Sequence, residues 1–144
     1  MANKWQGVCV HHSLTKDSKT SSWEAIRKYH IETNGWQEIG YHFGIEDVNG
    51  SVKLRIGRPT DQAGAHALGL NSTHLGICII GNYDIIAPSE DYLVTLGLVI
   101  ADLARFYKFP INTTTIKYHN EVSHKSCPGK LFPGKDVVIK YTKF

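Results

Sequence analysis

Nine residues, His119-Asn120-Glu121-Val122-Ser123-His124-Lys125-Ser126-Cys127, carry two histidines, a lysine and a cysteine, and Pro128-Gly129 follows as a turn that fixes where the cysteine points. Neutral imidazole nitrogen and thiolate sulfur are the donors that a borderline-soft d¹⁰ ion such as zinc accepts. Alone, the stretch holds too few ligands for a tetrahedral site, and its spacing is not that of a zinc finger. A third donor has to come from another part of the chain, which makes the elements that position these residues the next question.

The chain of 144 residues fits one domain, 1–144, long enough to bury a core without disulfide staples. Apolar residues make up 42% and charged residues 20%, an ordinary globular balance that excludes a disordered or fibrous chain. A net charge of +3 favours an anionic polymer such as a bacterial wall and is too weak to imply nucleic-acid binding. No apolar run is long enough to span a membrane, and Met1–Gln6 lacks the pattern of a secretory signal. Synthesis in a reducing cytoplasm without a signal peptide is therefore expected, with a monomer as the default. Three cysteines make no disulfide framework. Cys9 and Cys78 sit in β-type apolar runs as small buried hydrophobes, whereas Cys127 lies among polar residues beside a turn.

Periodicity and punctuation lay out the elements. Gly7–His11 is an apolar strand ending at the pair His11-His12. Ser21-Ser22-Trp23-Glu24 forms a capping box for a helix to about Thr33, with Trp23, Ile26 and His30 on one face and Asn34-Gly35 as its stop. Tyr41–Glu46 reads as a strand, Val48-Asn49-Gly50 as a hairpin turn and Val52-Leu54-Ile56 as the alternating partner. From Gly57 to Leu75 there is no periodicity, and a loop that long in a small domain is usually functional. Gly76–Gly81 is a second buried strand. A capped helix follows over about Glu90–Lys108, its stripe Leu93, Leu96, Ile100, Leu103 and Tyr107 widened by Val99 and Phe106. Thr115–Tyr118 is a last short strand, and 134–142 a closing helix. Strands alternating with helices predict an α/β domain with a mixed central sheet flanked by helices.

That layout supplies the missing donor. His11 and His119 each follow an apolar strand, and sites in open α/β sheets gather beyond the carboxyl ends of strands. If the two strands are parallel neighbours, both imidazoles meet at one rim with Cys127 folding back from its loop. The product is a His-His-Cys set with an open fourth position, the arrangement of a catalytic zinc.

With those residues in view, the chain resembles the type 2 N-acetylmuramoyl-L-alanine amidases, the family of phage-lysozyme-like endolysins and peptidoglycan recognition proteins. The resemblance runs through five blocks in order: Val10-His11-His12-Ser13, Ile39-Gly40-Tyr41-His42-Phe43, Gly64-Ala65-His66-Ala67 through Asn71, Leu75 to Asn82, and His119 with Lys125-Ser126-Cys127-Pro128-Gly129. It implies an amidase/recognition-protein fold, one Zn2+ held by His11, His119 and Cys127, and catalytic assistance from Tyr41 and Lys125. It further implies substrate contacts from His66 and Asn71. The implied reaction cuts peptidoglycan between the lactyl group of N-acetylmuramic acid and L-alanine, in a bacteriolytic endolysin or autolysin that meets the wall after release. Whether Tyr41 or Lys125 protonates the leaving amine stays open. Two other members of the family stay in view, a non-catalytic peptidoglycan-binding module and a cytosolic amidase recycling wall fragments. Non-catalytic relatives typically lose the cysteine, and recycling amidases tend to carry aspartate there, so Cys127 weighs against both.

The remaining histidines have plainer expectations. His12 should point away from its neighbour by strand alternation, and His42 is expected to be a core group that holds a ligand's tautomer. His30 and His124 read as packing or solvated residues, and His74 has no assigned part.

Overall fold

A computed structural model describes residues 5–14 and 23–143 of the chain. Its strands are β1 (Gly7–His12), β2 (Phe43–Val48), β3 (Ser51–Ile56), β4 (His74–Ile79) and β5 (Ile116–Tyr118). Its helices are α1 (Trp23–Glu32), α2 (Glu90–Tyr107) and α3 (Lys135–Lys140), with a single 3-10 turn at His119–Glu121. The strands join one mixed sheet in the order β3-β2-β4-β1-β5. β1 runs parallel to both β4 and β5, β2 runs parallel to β4, and β3 returns antiparallel to β2. The expected single α/β domain with a mixed sheet is what forms.

The near-continuous apolar runs of β1 and β4 suit strands covered on both faces, and every residue of each is buried. Val8 and Val10 of β1, Ile45 of β2 and Leu75, Ile77 and Ile79 of β4 pack with Leu96, Ile100 and Leu103 of α2 and Val138 of α3. The alternate residues turn to the other face. There Cys9 meets Ala67 and Leu70 of the long loop, and Cys78 meets Trp23 and Ile39. His11 shares that second face with Cys9, so the catalytic candidates lie across the sheet from α2.

Local chemistry explains the connections. Asn49 and Gly50 both take positive φ, 54° and 83°, as a two-residue type I′ hairpin requires. Ser89 caps α2 by accepting from the Tyr92 amide, and Lys108 closes it in the left-handed region. Helix α1 has a cap the sequence does not advertise. The buried Glu46 carboxylate accepts from the Trp23 amide at 2.9 Å and from Arg55 Nε at 2.7 Å. The Ser21 cap expected from sequence lies outside the described residues.

Four expectations shift. β2 begins at Phe43, leaving Tyr41 and His42 just before the strand, while β4 starts earlier, at His74. Phe106 does not widen the α2 stripe. It is 76% exposed and stacks edge-on against Tyr107, whose hydroxyl instead reaches Thr60. Leu54 and Ile56 do not alternate into a core either, since β3 is the sheet edge and leaves them 44% and 68% exposed.

Candidate active site

Strand register brings the metal-type donors together. Val10 pairs with Tyr118 across the parallel β1–β5 ladder, so His11 and His119 leave the sheet side by side, ring centroids 4.5 Å apart. Cys127 folds over them, its Sγ 3.7 Å from His11 Nδ1 and 3.3 Å from the His12 amide, which donates to it. One ligand atom from each of His11, His119 and Cys127 lies within 4.8 Å of the others, close enough to hold a single metal ion. The three form the floor of a cleft of about 570 Å³, whose walls include Tyr41, Ala65, His66, Asp84 and Lys125.

The cysteine loop is braced from several directions. The Asn120 amide donates to the Cys127 carbonyl at 2.7 Å, tying together the segments that carry His119 and Cys127. Asp84 accepts from the Ser126 hydroxyl at 2.7 Å and from the Lys130 amide at 2.8 Å, one bond on either side of the cysteine. Gly129, at φ +125°, lies against the Tyr83 backbone, where a Cβ would come within 2.4 Å. The Pro-Gly turn therefore does aim the cysteine, by letting its loop approach Tyr83. Below His119, Glu121 accepts from the Tyr118 amide at 2.6 Å and from Lys135 Nζ at 2.8 Å, fixing the turn that follows β5.

Burial sets the protonation of the donors. It is the leading cause that lowers His11 well below the usual imidazole range, assisted by His66, His119 and His12, and it lowers His119 together with Lys125. Both imidazoles are thus neutral near pH 7, as metal binding requires. Burial also pushes the Cys127 thiol up to about 11, with the His12 amide and Lys125 acting in the opposite sense. The sulfur would have to give up its proton to bind a cation in the cage. Tyr41 packs edge-on to His11 with centroids 5.1 Å apart, and burial raises its phenol well above the ordinary value, followed by Cys78 and Cys127.

Against known proteins, the family model described as N-acetylmuramoyl-L-alanine amidase matches residues 1–130. The chain belongs to the N-acetylmuramoyl-L-alanine amidase family. It is 32% identical over 122 residues to the endolysin of Klebsiella phage KP32, covering 84% of this chain and 78% of that one. It is 29% identical to peptidoglycan-recognition protein SC2 of Drosophila melanogaster over 135 residues, 90% of this chain and 71% of that one. Among solved structures, the amidase LysC from Clostridium intestinale URNW superposes with a TM-score of 0.80 at 27% identity, covering 97% of this chain and 87% of that one.

In this amidase, the other residues singled out from sequence fall in different places. Lys125 is exposed at the cleft rim, and no ion pair among the described residues involves it. His66 lines the cleft only from beneath, because it is buried and 2.9 Å from His11. Asn71 is not among the lining residues. Its side-chain oxygen accepts from the His66 and Ala67 amides at 2.7 and 2.9 Å and so ties down the loop. His42, expected to hold a ligand's tautomer, does not touch one. It accepts from the Gly76 amide and donates to the Gln62 carbonyl, because β4 separates it from β1. His12 is packed, accepting from the Tyr83 amide, and His30 accepts from the Gly40 amide at the cleft wall. Asp84 was not foreseen. Nothing in Asn82-Tyr83-Asp84-Ile85 signals a partner 42 residues away at Ser126.

Proposed function

We propose that this chain is a zinc-dependent peptidoglycan hydrolase that cuts the amide between the lactyl group of N-acetylmuramic acid and L-alanine. The observation that carries the reading is the convergence of His11, His119 and Cys127 on the floor of an open cleft that Tyr41 and Lys125 also line. Two neutral imidazoles and a thiolate are a zinc donor set, and His11, His119 and Cys127 would hold the ion as three protein ligands. A zinc ion held there would supply Lewis acidity toward water and the scissile carbonyl.

The chain's own residues divide the remaining work. His11 and His119 hold neutral lone pairs at the cleft floor, and the braced cysteine loop keeps the sulfur in place. Tyr41, its phenol raised well above the ordinary value by burial, offers an O–H beside His11 at the cleft wall. Lys125 brings an ammonium over the rim, where negative charge develops on the carbonyl oxygen. Residues 1–144 act as one catalytic domain, a monomer, on the bacterial cell wall during lysis, with peptidoglycan as the macromolecular partner. The small positive net charge aids approach to anionic wall polymer.

Purified protein incubated with sacculi should release peptides with new L-alanine amino termini, read by mass spectrometry, and a chelator should stop it. Cys127→Ala should lose zinc and activity together. Cleavage that persists in chelator, or a Cys127→Ala protein with one full equivalent of zinc, would refute the assignment. Binding to sacculi without new amino termini would favour a recognition module instead.

A further inference from the structure

A chain of hydrogen bonds runs from the backbone into the back of the metal cage. His66 Nε2 lies 3.0 Å from the His74 carbonyl oxygen, which can only accept, so that nitrogen carries a proton. In a neutral imidazole the other nitrogen, Nδ1, is then a lone pair. It faces His11 Nε2 at 2.9 Å, which must therefore be the donor. His11 is left with its lone pair on Nδ1, the atom 3.7 Å from Cys127 Sγ.

The ring of His66 is held so that this order cannot reverse. A Cβ on Gly64 would come within 2.4 Å of His66 Cδ2, and one on Gly76 within 2.6 Å of both Cδ2 and Cγ. The imidazole thus lies in a slot that only two glycines leave open. Asn71 clamps the backbone on either side of the slot, accepting from the His66 amide while its own carbonyl accepts from the Gly64 amide at 2.8 Å. Turning the ring over would replace Nδ1 by a carbon and break both hydrogen bonds.

We infer that His66 is a positioning residue: it passes the polarity of the His74 carbonyl to His11 and so presets the tautomer and ring orientation in which His11 Nδ1 binds the metal. The inference rests on the zinc-site reading above. A ligating histidine ordinarily donates its free N–H to a carboxylate, carbonyl or water; here a second histidine stands in that place. The ligand atoms of Cys9, His11 and His66 also lie within 4.8 Å of one another. A second ion there would need the His11 nitrogen that the 2.9 Å contact uses as a donor, so the two arrangements exclude each other.

Nitrogen-15 NMR of the metal-free wild-type protein tests the order directly. The expected spectrum has the proton on Nε2 of both His11 and His66, with the His11 N–H protected from exchange. A proton on Nδ1 of either ring overturns the inference, whatever metal binds. The second measurement is zinc affinity by chelator competition. His66→Phe keeps a planar ring, a somewhat larger one, and removes the acceptor, and it should weaken zinc binding roughly 10- to 100-fold while stoichiometry stays one. His66→Asn places an amide oxygen near the former Nδ1 and should recover most of the loss. Unchanged affinity in His66→Phe, or two zinc equivalents in wild type, overturns the inference. If Cys127→Ala retains zinc, the metal-site reading fails instead, and the NMR result still stands by itself.

Discussion

Gly97 sits in the middle of α2, where helix propensity and packing give opposite predictions for alanine. In an exposed helix Gly→Ala stabilises by about 1 kcal/mol. Here a Cβ would stand 2.1 Å from the Tyr141 carbonyl oxygen and 2.4 Å from its carbon, both backbone atoms just beyond α3. Reaching ordinary contact requires the helix and that segment to part by roughly 1.3 Å. Val138, fully buried on α3, would lose contact as they part. Overpacking of this kind costs about 1–3 kcal/mol, and the clash lies toward the upper end because backbone cannot rotate away. Set against the propensity gain, Gly97→Ala should be destabilised by about 1–2 kcal/mol, a fall in Tm of roughly 3–7 °C for a chain of this size. Urea titration and thermal melts measure it, with Val94→Ala at a 40% exposed position of the same helix as a near-neutral control. Because α2 and α3 pack on the sheet face opposite the cleft, turnover at 25 °C should be unchanged. A raised urea midpoint in Gly97→Ala would show that the α2–α3 contact yields freely and would sink the reasoning.

Other outcomes follow from single features. Lys125→Ala should keep one zinc and wild-type stability while kcat falls about 100-fold, the lower end for an oxyanion donor because the ammonium is exposed; metal analysis and steady-state kinetics separate the two, and loss of zinc would reassign Lys125 to the cage. Glu46→Ala leaves the Trp23 amide and Arg55 without their acceptor and should cost about 2–3 kcal/mol in denaturant unfolding, whereas a change below about 0.5 would show the cap to be idle. His42 is buried with its Nδ1 accepting from Gly76, and burial lowers it below the usual imidazole value. The unfolded chain then binds more protons than the native one, so stability is present above the unfolded value near pH 6.5 and is lost as pH falls below it. Urea midpoints between pH 7.5 and 5 should decline, with a slope of up to about 1.4 kcal/mol per pH unit from this residue. His42→Phe should flatten part of that decline, and an unaltered slope would assign it elsewhere.

What the sequence made legible is what short-range pattern governs. The runs Val8-Cys9-Val10 and Leu75 to Ile80 have to be covered on both faces, and the α2 stripe has to meet a sheet, so these elements follow from residue type alone. The hairpin follows from Asn49-Gly50. Where expectation and structure part, the deciding contact is remote. Phe106 and Ile56 are apolar by type yet lie beyond the reach of any covering layer, at the end of a helix and the edge of a sheet. Glu46 caps a helix that begins 23 residues earlier, a pairing that exists only once β2 lies beside α1.

The site divides along the same line. His11, His119 and Cys127 stood out as candidates because few residue types bind a metal and because His11 lies near the end of β1 and His119 directly after β5. Their supports did not, since each depends on strand order. With β4 lying between β2 and β1, His42 faces Gly76, and the position behind His11 goes to His66, 55 residues along the chain. Asp84 meets Ser126 and Lys130 only because the β4–α2 connection passes beneath the cysteine loop. Each proposed ligand is thus steadied from a different segment: His11 by the long loop, Cys127 by Asp84 and the Tyr83 backbone, and His119 by Glu121 with Lys135. The Lys125 side chain stands outside this bracing among the described residues, exposed on the rim. That asymmetry fits the proposed division of labour, in which a metal cage has to hold its geometry before substrate arrives, whereas a charge that meets a developing oxyanion follows the substrate into place.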